Sequence, residues 1–346
     1  MPARVHHLPC VVHVHSTYSD GTATVPEILD AARAAGARTV LLCDHNTLGA
    51  RRDGWEGWHD GVLLLVGHEV TPPPPQGHFL AFGLDREVPD KGRTGAQICA
   101  DVVRAGGVGF AAHPFSAGSR MSARLAAPAR WDALAECPEA GIELWSLATD
   151  TAEGWTSPLA AWRELRDPEA RLDGPPAGHL AAWDALGRRR RVPALGGLDA
   201  HQPGPRWRGR VRSPMPNRRW FGLLHTVLEL DDEPTGDLDA DRASVLAALA
   251  AGRALLACPA RGDPSGFGFR GDGGLSMGDE AGADGQGLRV TAPLAADLTL
   301  LRDGRPVASG RGARELRARA EGPGVYRLEA RRDGRLWILT NAIYLR

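Results

Sequence analysis

The sequence predicts an α/β fold built on a parallel sheet, a barrel or a doubly wound sheet, followed by a small all-β unit. Three observations lead there. Short apolar runs alternate with helix-period segments, and those runs end in His, Asp or Glu. Near residue 258 the chain turns glycine-rich, and beyond it apolar and polar residues alternate between Asp-Gly turns.

The first run, "CVVHVH", is β-branched, and a period of two puts His13 and His15 on one face. A helix follows, with Thr24 and Glu27 as a capping box, Ile28, Leu29 and Ala32 as its buried stripe, and Gly36 as its stop. "RTVLLCDHN", "GVLLLVGHEV", "GVGFAAHPF", "GIELWS" and "VPALGGLDAH" read as further buried strands. "TGAQICADVVRAGG" and "PLAAWRELRD" read as helices between them, with Trp162 and Trp183 as core residues. Buried strands separated by helices imply parallel pairing, and such folds place their chemistry at strand C-termini. The spacing divides the chain into residues 1–258 and a β-sandwich over 259–346, where Asp303-Gly304 and Asp333-Gly334 form hairpin turns.

Composition excludes several classes. Among 346 residues, 43% are apolar and 24% charged, with a net charge of -1, so no global field draws the protein to duplex nucleic acid or an anionic membrane. Five separated cysteines without a CxxC pair argue against a disulfide framework or a structural zinc site. Neither a signal-peptide core nor a membrane-length apolar run is present, which leads to the expectation of a cytoplasmic protein. The sequence leaves the oligomeric state open.

A borderline divalent metal binds neutral imidazoles that point the same way, and His-x-His on a strand supplies two. Asp20 lies in the turn just beyond His13 and His15. His45 ends the next strand beside Asp44. Glu69 can bridge two ions through its two oxygens, and His78 and His113 follow near strand ends. Asp199 and His201, again two apart, complete nine candidates. A nitrogen and oxygen donor set without thiolate suits Mn, Zn or Fe.

"HVHSTYSDG", "CDHNT", "GHEVT", the "AHP" tripeptide and "GGLDAH" resemble, in order, the motifs of the PHP (polymerase and histidinol phosphatase) superfamily over residues 11 to 201. "AALAAGRALLACP", "MGDE" and "WILTNAIYLR" resemble its CehA/McbA-like branch, which adds a C-terminal β-sandwich. The resemblance implies a distorted (β/α)7 TIM-like barrel with two or three divalent ions in its mouth. By motif, His13, His15, Glu69 and Asp199 would hold the first ion. Glu69 would bridge to a second held by His78 and His113, and Asp20, His45 and His201 would hold a third. One departure is Ser146 in "GIELWS", where relatives often carry Asn, which leaves the roles of Glu143 and Trp145 open.

The expected activity is phosphoester hydrolysis of a small anionic substrate, a monoester or diester. Water acidified between the ions would attack phosphorus in line, with Glu69 and Asp199 as catalytic carboxylates. Hydrolysis of a carbamate or carboxylic ester is the alternative, and a non-catalytic binding module a third reading. Arg120 is the candidate for gripping phosphate oxygens. The stretch "PRWRGRVRSPMPNRRW" reads either as a basic lid or as a solvated loop, and Trp55, Trp58, Trp145 and Trp207 are candidates to line a pocket.

Overall fold

The computed structural model describes residues 5–123, 125–170 and 172–346. The apolar run that opens the chain forms β1 (His6–Val14), and α1 (Val25–Ala34) follows. The capping box of α1 forms as expected, with the Thr24 amide donating to Glu27 at 2.8 Å, and Ile28, Leu29 and Ala32 are buried. The next elements are β2 (Thr39–Leu42), α2 (Gly49–Arg52), β3 (Gly57–His59), β4 (Val62–Val66), β5 (His68–Val70) and β6 (His78–Phe82). Then come α3 (Gly95–Arg104), β7 (Val108–Ala112), β8 (Gly141–Ser146), α4 (Leu147–Gly154), α5 (Pro158–Arg166), α6 (Ala177–Gly187) and β9 (Ala194–Gly197).

Strands β1, β2 and β4 pair in parallel, as do β7, β8 and β9. The expected parallel run is broken at β6, which pairs antiparallel with both β5 and β7. Chain length explains this departure. A parallel return needs a crossover of about a dozen residues or more, and the loop between Val70 and His78 is too short for one.

A further departure concerns closure. Strands β5 to β9 make one sheet, while β1, β2, β3 and β4 belong to another. The two meet edge to edge through isolated bridges, Val14 with Ala200 and His45 with Glu69. Backbone bonds support the first seam: Leu198 N–H donates to Val12 O at 2.9 Å and His15 N–H to Ala200 O at 3.0 Å. At the second, Asn46 N–H donates to Glu69 O at 3.0 Å and Glu69 N–H to Asp44 O at 3.2 Å. These edges touch without a continuous ladder, so two sheets stand where a single closed barrel was expected. His13 (φ 63°) and Asp199 (φ 50°), one on each side of the first seam, have left-handed backbones, and the β1–β2 ladder shifts register at His13.

The rest of the chain extends the first sheet. After the short hairpin β10 (Arg206–Trp207) and β11 (Arg210–Val211) come α7 (Asn217–Trp220), β12 (His225–Leu230), α8 (Leu238–Ala251) and β13 (Ala254–Ala257). The C-terminal strands are β14 (Gly268–Gly271), β15 (Glu280–Ala281), β16 (Gly287–Arg302), β17 (Arg305–Arg319), β18 (Gly324–Arg332), β19 (Arg335–Thr340) and β20 (Ile343–Leu345). Both Asp-Gly turns form: Asp303 and Gly304 take φ 51° and 79°, and Asp333 and Gly334 take 51° and 75°. These are the left-handed pairs that a tight hairpin needs.

Strand β19 pairs with β13, and β12 with β1, so one sheet runs from the C-terminal strands to the first strand of the chain. Their shared core includes Val227 and Leu255 on one side of residue 258 and Phe269, Leu298, Tyr326 and Trp337 on the other. Buried Asn341 accepts from Ala194 N–H at 2.8 Å and donates to Ala254 O at 2.9 Å, tying the C-terminus to β9 and β13. Arg327 on β18 grips both carboxylate oxygens of Asp184 on α6 at 2.8 and 2.9 Å. No helix among the described residues is long and apolar enough to cross a membrane. The five cysteines are free and buried.

Candidate metal centre

All nine candidate residues converge where the two sheets touch. His15 and Asp20 follow β1, His45 follows β2, Glu69 is in β5 and His78 opens β6. His113 follows β7, and Asp199 and His201 follow β9. Three of them, His13, His113 (φ 29°) and Asp199, have positive φ, a costly conformation for a residue with a side chain. Such strain persists where packing over-determines it and clusters at functional sites.

Glu69 lies at the middle. Its Oε2 is 3.4 Å from His13 Nε2 and 3.5 Å from His15 Nε2. Asp199 Oδ1 lies 3.5 Å from each of the same two nitrogens. Four donors placed about 2.1 Å from one tetrahedral ion would sit about 3.4 Å from each other, so these spacings match a shared ion. The other oxygen, Oε1, is 2.9 Å from His78 Nδ1 and 3.3 Å from His113 Nε2. Asp20 Oδ1 faces a third set, with His201 Nε2 at 3.2 Å, His45 Nε2 at 3.6 Å and His15 Nδ1 at 3.8 Å.

The polar atoms that would face ions are left over by the protein. His13 Nε2, both nitrogens of His15 and Glu69 Oε2 are buried without a hydrogen-bond partner among the described residues. Each such group costs about 1–3 kcal/mol unless something else satisfies it. Divalent cations would take up the inward-facing lone pairs of these groups, and three groups of these residues are spaced to hold one.

Surrounding residues fix how the donors point. Glu143 accepts from His13 Nδ1 at 2.8 Å, which leaves the lone pair on Nε2, and its second oxygen accepts from His113 N–H at 2.8 Å. Thr71 Oγ donates to the Glu69 carbonyl at 3.2 Å, so it accepts from His45 Nδ1 at 2.7 Å and frees His45 Nε2 toward Asp20. His201 Nδ1 does the same with the Asp199 carbonyl at 3.1 Å. Thr149 holds the far oxygen of Asp199 at 2.5 Å. Asp44 binds the turn that carries Asp20, accepting from Ser16 N–H at 2.8 Å and from Ser19 Oγ at 2.6 Å. Carboxylate and carbonyl partners of this kind orient histidine ligands and raise their basicity.

Charge balance in the cluster is tight. Burial drives His15 neutral, with the nearby His201 adding to the effect, and its pKa falls to about 3. Burial opposes charge on His113 too, but Glu69 and Asp199 outweigh it and lift its pKa to about 9. Burial also disfavours ionised Glu69, yet His78 and His13 hold its carboxyl well below the usual carboxylate range. Protons on histidine therefore do the balancing that a metal ion would otherwise do.

A pH dependence follows. His113 has a folded pKa above the unfolded value of about 6.5, so without metal its contribution is full below that pH and is lost as pH rises through about 9. Chelator-treated protein is expected to lose thermal stability between these limits, while metal-loaded protein gains it as protons stop competing. Parallel unfolding curves for the two forms would contradict this.

A cavity of about 610 Å³ opens over the cluster, with Asp20, His78, His113, Asp199 and His201 among its lining residues.

No family model matches the chain, and no curated protein sequence matches it. Solved structures do. The chain is similar to PHP-like metal-dependent phosphoesterases. One is a two-domain protein from Bacteroides vulgatus containing a predicted PHP-like metal-dependent phosphoesterase, at 16% identity and TM-score 0.46, covering 98% of this chain and 95% of that one. A protein from Bifidobacterium adolescentis assigned as a metal-dependent phosphoesterase matches at 17% identity and TM-score 0.38, over 61% of this chain and 94% of its own. PsfC from Pseudomonas syringae matches at 16% identity and TM-score 0.42, over 68% and 87%. Superpositions this loose carry no chemistry across, and the reading of the centre rests on its own geometry.

Other sequence expectations fare differently. Arg120 is exposed and is not among the residues lining the cavity. The arginines of the arginine-rich stretch are not among the residues lining the cavity: Arg206 pairs with Glu27 at 2.9 Å, Arg219 caps the carbonyls of Leu165 and Arg166, and Arg208 and Arg210 are exposed. Trp183 is buried as expected, but Trp162 is 54% exposed on α5, a helix with no buried residue. Its spacing is helical, yet periodicity alone does not say which helix packs inside. Trp145 is buried in the core and Trp207 is 61% exposed, while the tryptophans that line the cavity are Trp155 and Trp220. The role of Glu143, left open by the sequence, is the bridge between His13 and His113.

Proposed function

We propose that this chain is a metal-dependent phosphoesterase acting on a small phosphate monoester or diester. The observation that carries the reading is Glu69: its Oε2 lies within 3.5 Å of nitrogens of His13, His15 and His45, and its Oε1 within 3.3 Å of nitrogens of His78 and His113. His13, His15 and Asp199 would complete one position, His78 and His113 a second, and Asp20, His45 and His201 a third. In this reading the touching sheets are the distorted (β/α)7 barrel, residues 259–346 are the β-sandwich of a CehA/McbA-like relative, and the ions are Mn, Zn or Fe.

Bound divalent ions would supply a water acidified toward neutrality and positive charge for the phosphoryl oxygens. The chain does the positioning. Glu143, Thr71 and the Asp199 carbonyl each hold a histidine so that its Nε2 lone pair faces inward. Thr149 keeps one Asp199 oxygen occupied, so the other is directed at His13 and His15. Among the described residues lining the cavity there is no arginine or lysine, so the positive charge for a phosphate comes from the ions.

Elemental analysis of protein purified without chelator, followed by assays on p-nitrophenyl phosphate, bis-p-nitrophenyl phosphate and an aryl N-methylcarbamate, tests this. The expected result is bound Mn, Zn or Fe and phosphoester turnover that a chelator abolishes and metal restores. Turnover of the carbamate alone would replace the phosphoesterase reading with ester hydrolysis at carbon. Protein without bound metal that gains no activity on metal addition would end both.

A further inference from the structure

The wall of the cavity opposite the ionisable cluster is a second recognition surface. Pro72 and Pro74 come from the loop after β5, Leu125 and Pro128 from the segment after β7, and Met215 from the loop before α7. Trp155, at the end of α4, closes this side. Leu125 remains 46% exposed although it borders the cavity, an apolar side chain left in water at its rim. Trp155 is only 5% exposed, and its buried indole Nε1 has no hydrogen-bond partner among the described residues.

We infer that the non-phosphoryl part of the substrate is an apolar group of aromatic size, seated against Leu125, Pro128, Trp155 and Met215. The inference rests on the phosphoesterase reading and narrows it to a substrate class. The cavity volume of about 610 Å³ accommodates a phosphoryl group and one ring system, within the roughly 300–1,000 Å³ typical of small-molecule sites. Specificity is divided accordingly: charge is recognised at the cluster and shape at the apolar wall.

Binding, rather than turnover, tests the two halves separately. Manganese-loaded protein is titrated calorimetrically with methylphosphonate and with phenylphosphonate, which share a headgroup and differ in the arm. Phenylphosphonate is expected to bind about ten-fold tighter or better. Leu125→Ser, a neutral change at an exposed position, should erase most of that difference, with a much smaller effect on methylphosphonate. Equal affinity for methyl and phenyl arms overturns the apolar-arm inference and leaves the phosphoesterase reading standing. Failure of every phosphonate to bind the metal-loaded protein overturns both.

Discussion

Glu69→Ala is expected to cost about three orders of magnitude in kcat and to strip the protein of all but roughly one equivalent of metal. A thousand-fold loss corresponds to about 4 kcal/mol of transition-state stabilisation, within the several kcal/mol that ions supply to a phosphoryl oxygen. The size of the effect comes from geometry. Both oxygens of this one buried side chain lie within 3.5 Å of imidazole nitrogens, three facing Oε2 and two facing Oε1. His13 and His15 each belong to two of the donor groups as well, so their truncation is also expected to lower the metal content. The group around Asp20, with His45 and His201, does not depend on Glu69 for its closest spacing of 3.2 Å and is expected to retain its ion. Metal stoichiometry by elemental analysis, set beside phosphoester turnover, checks this. Wild-type stoichiometry in the variant would mean that Glu69 bridges nothing. A smaller change, Glu69→Gln, keeps the shape and removes the charge, and should fall between wild type and alanine.

The sequence exposes most of this centre because its donors sit at a recurring place, the end of an apolar strand. His13, His15, His45, Glu69, His113, Asp199 and His201 all occupy that position, so the pattern could be read one strand at a time. Glu143 could not be read that way. It lies inside β8 and meets His13, 130 positions away, only because the seam between sheets brings β8 and β1 together. Arg120 failed for the opposite reason: nearness in sequence to His113 was taken as nearness in space, and the segment carries it out to solvent. The same holds for Arg206, whose partner Glu27 lies 179 positions away and is not legible from local composition. In the fold, apolar runs located β1, β2, β4, β7, β8 and β9, but run length says nothing about strand direction. The antiparallel β6 follows from the length of the loop before it, a signal present in the sequence and not used. Asp-Gly turns, in contrast, carry their own backbone requirement, and both hairpins they predict are formed.

Gly197→Ala is expected to damage the centre almost as severely, from a position that offers no ligand atom. A Cβ built there would lie 1.8 Å from Glu143 Oε1 and 3.0 Å from the His13 Cβ. The constraint is one of space rather than of left-handed backbone, since Gly197 is absent from the positive-φ glycines. Glu143 has nowhere to retreat. It is 1% exposed, its Oε1 receives His13 Nδ1–H and its Oε2 receives His113 N–H, so any shift that clears the new methyl breaks one bond or both. His13 would then lose the partner that fixes its tautomer, and ligands freed in this way typically lose about 10–100-fold in metal affinity. Overpacking adds a stability cost of about 1–3 kcal/mol. Gly154→Ala supplies the control, because a Cβ at that helical position meets nothing within 4 Å and should be neutral or mildly stabilising. Metal titration of the two variants, paired with thermal unfolding in chelator, separates lost affinity from lost stability. If Gly197→Ala bound metal as wild type does while unfolding earlier, Glu143 would be a packing residue and not the strut that holds His13 in place.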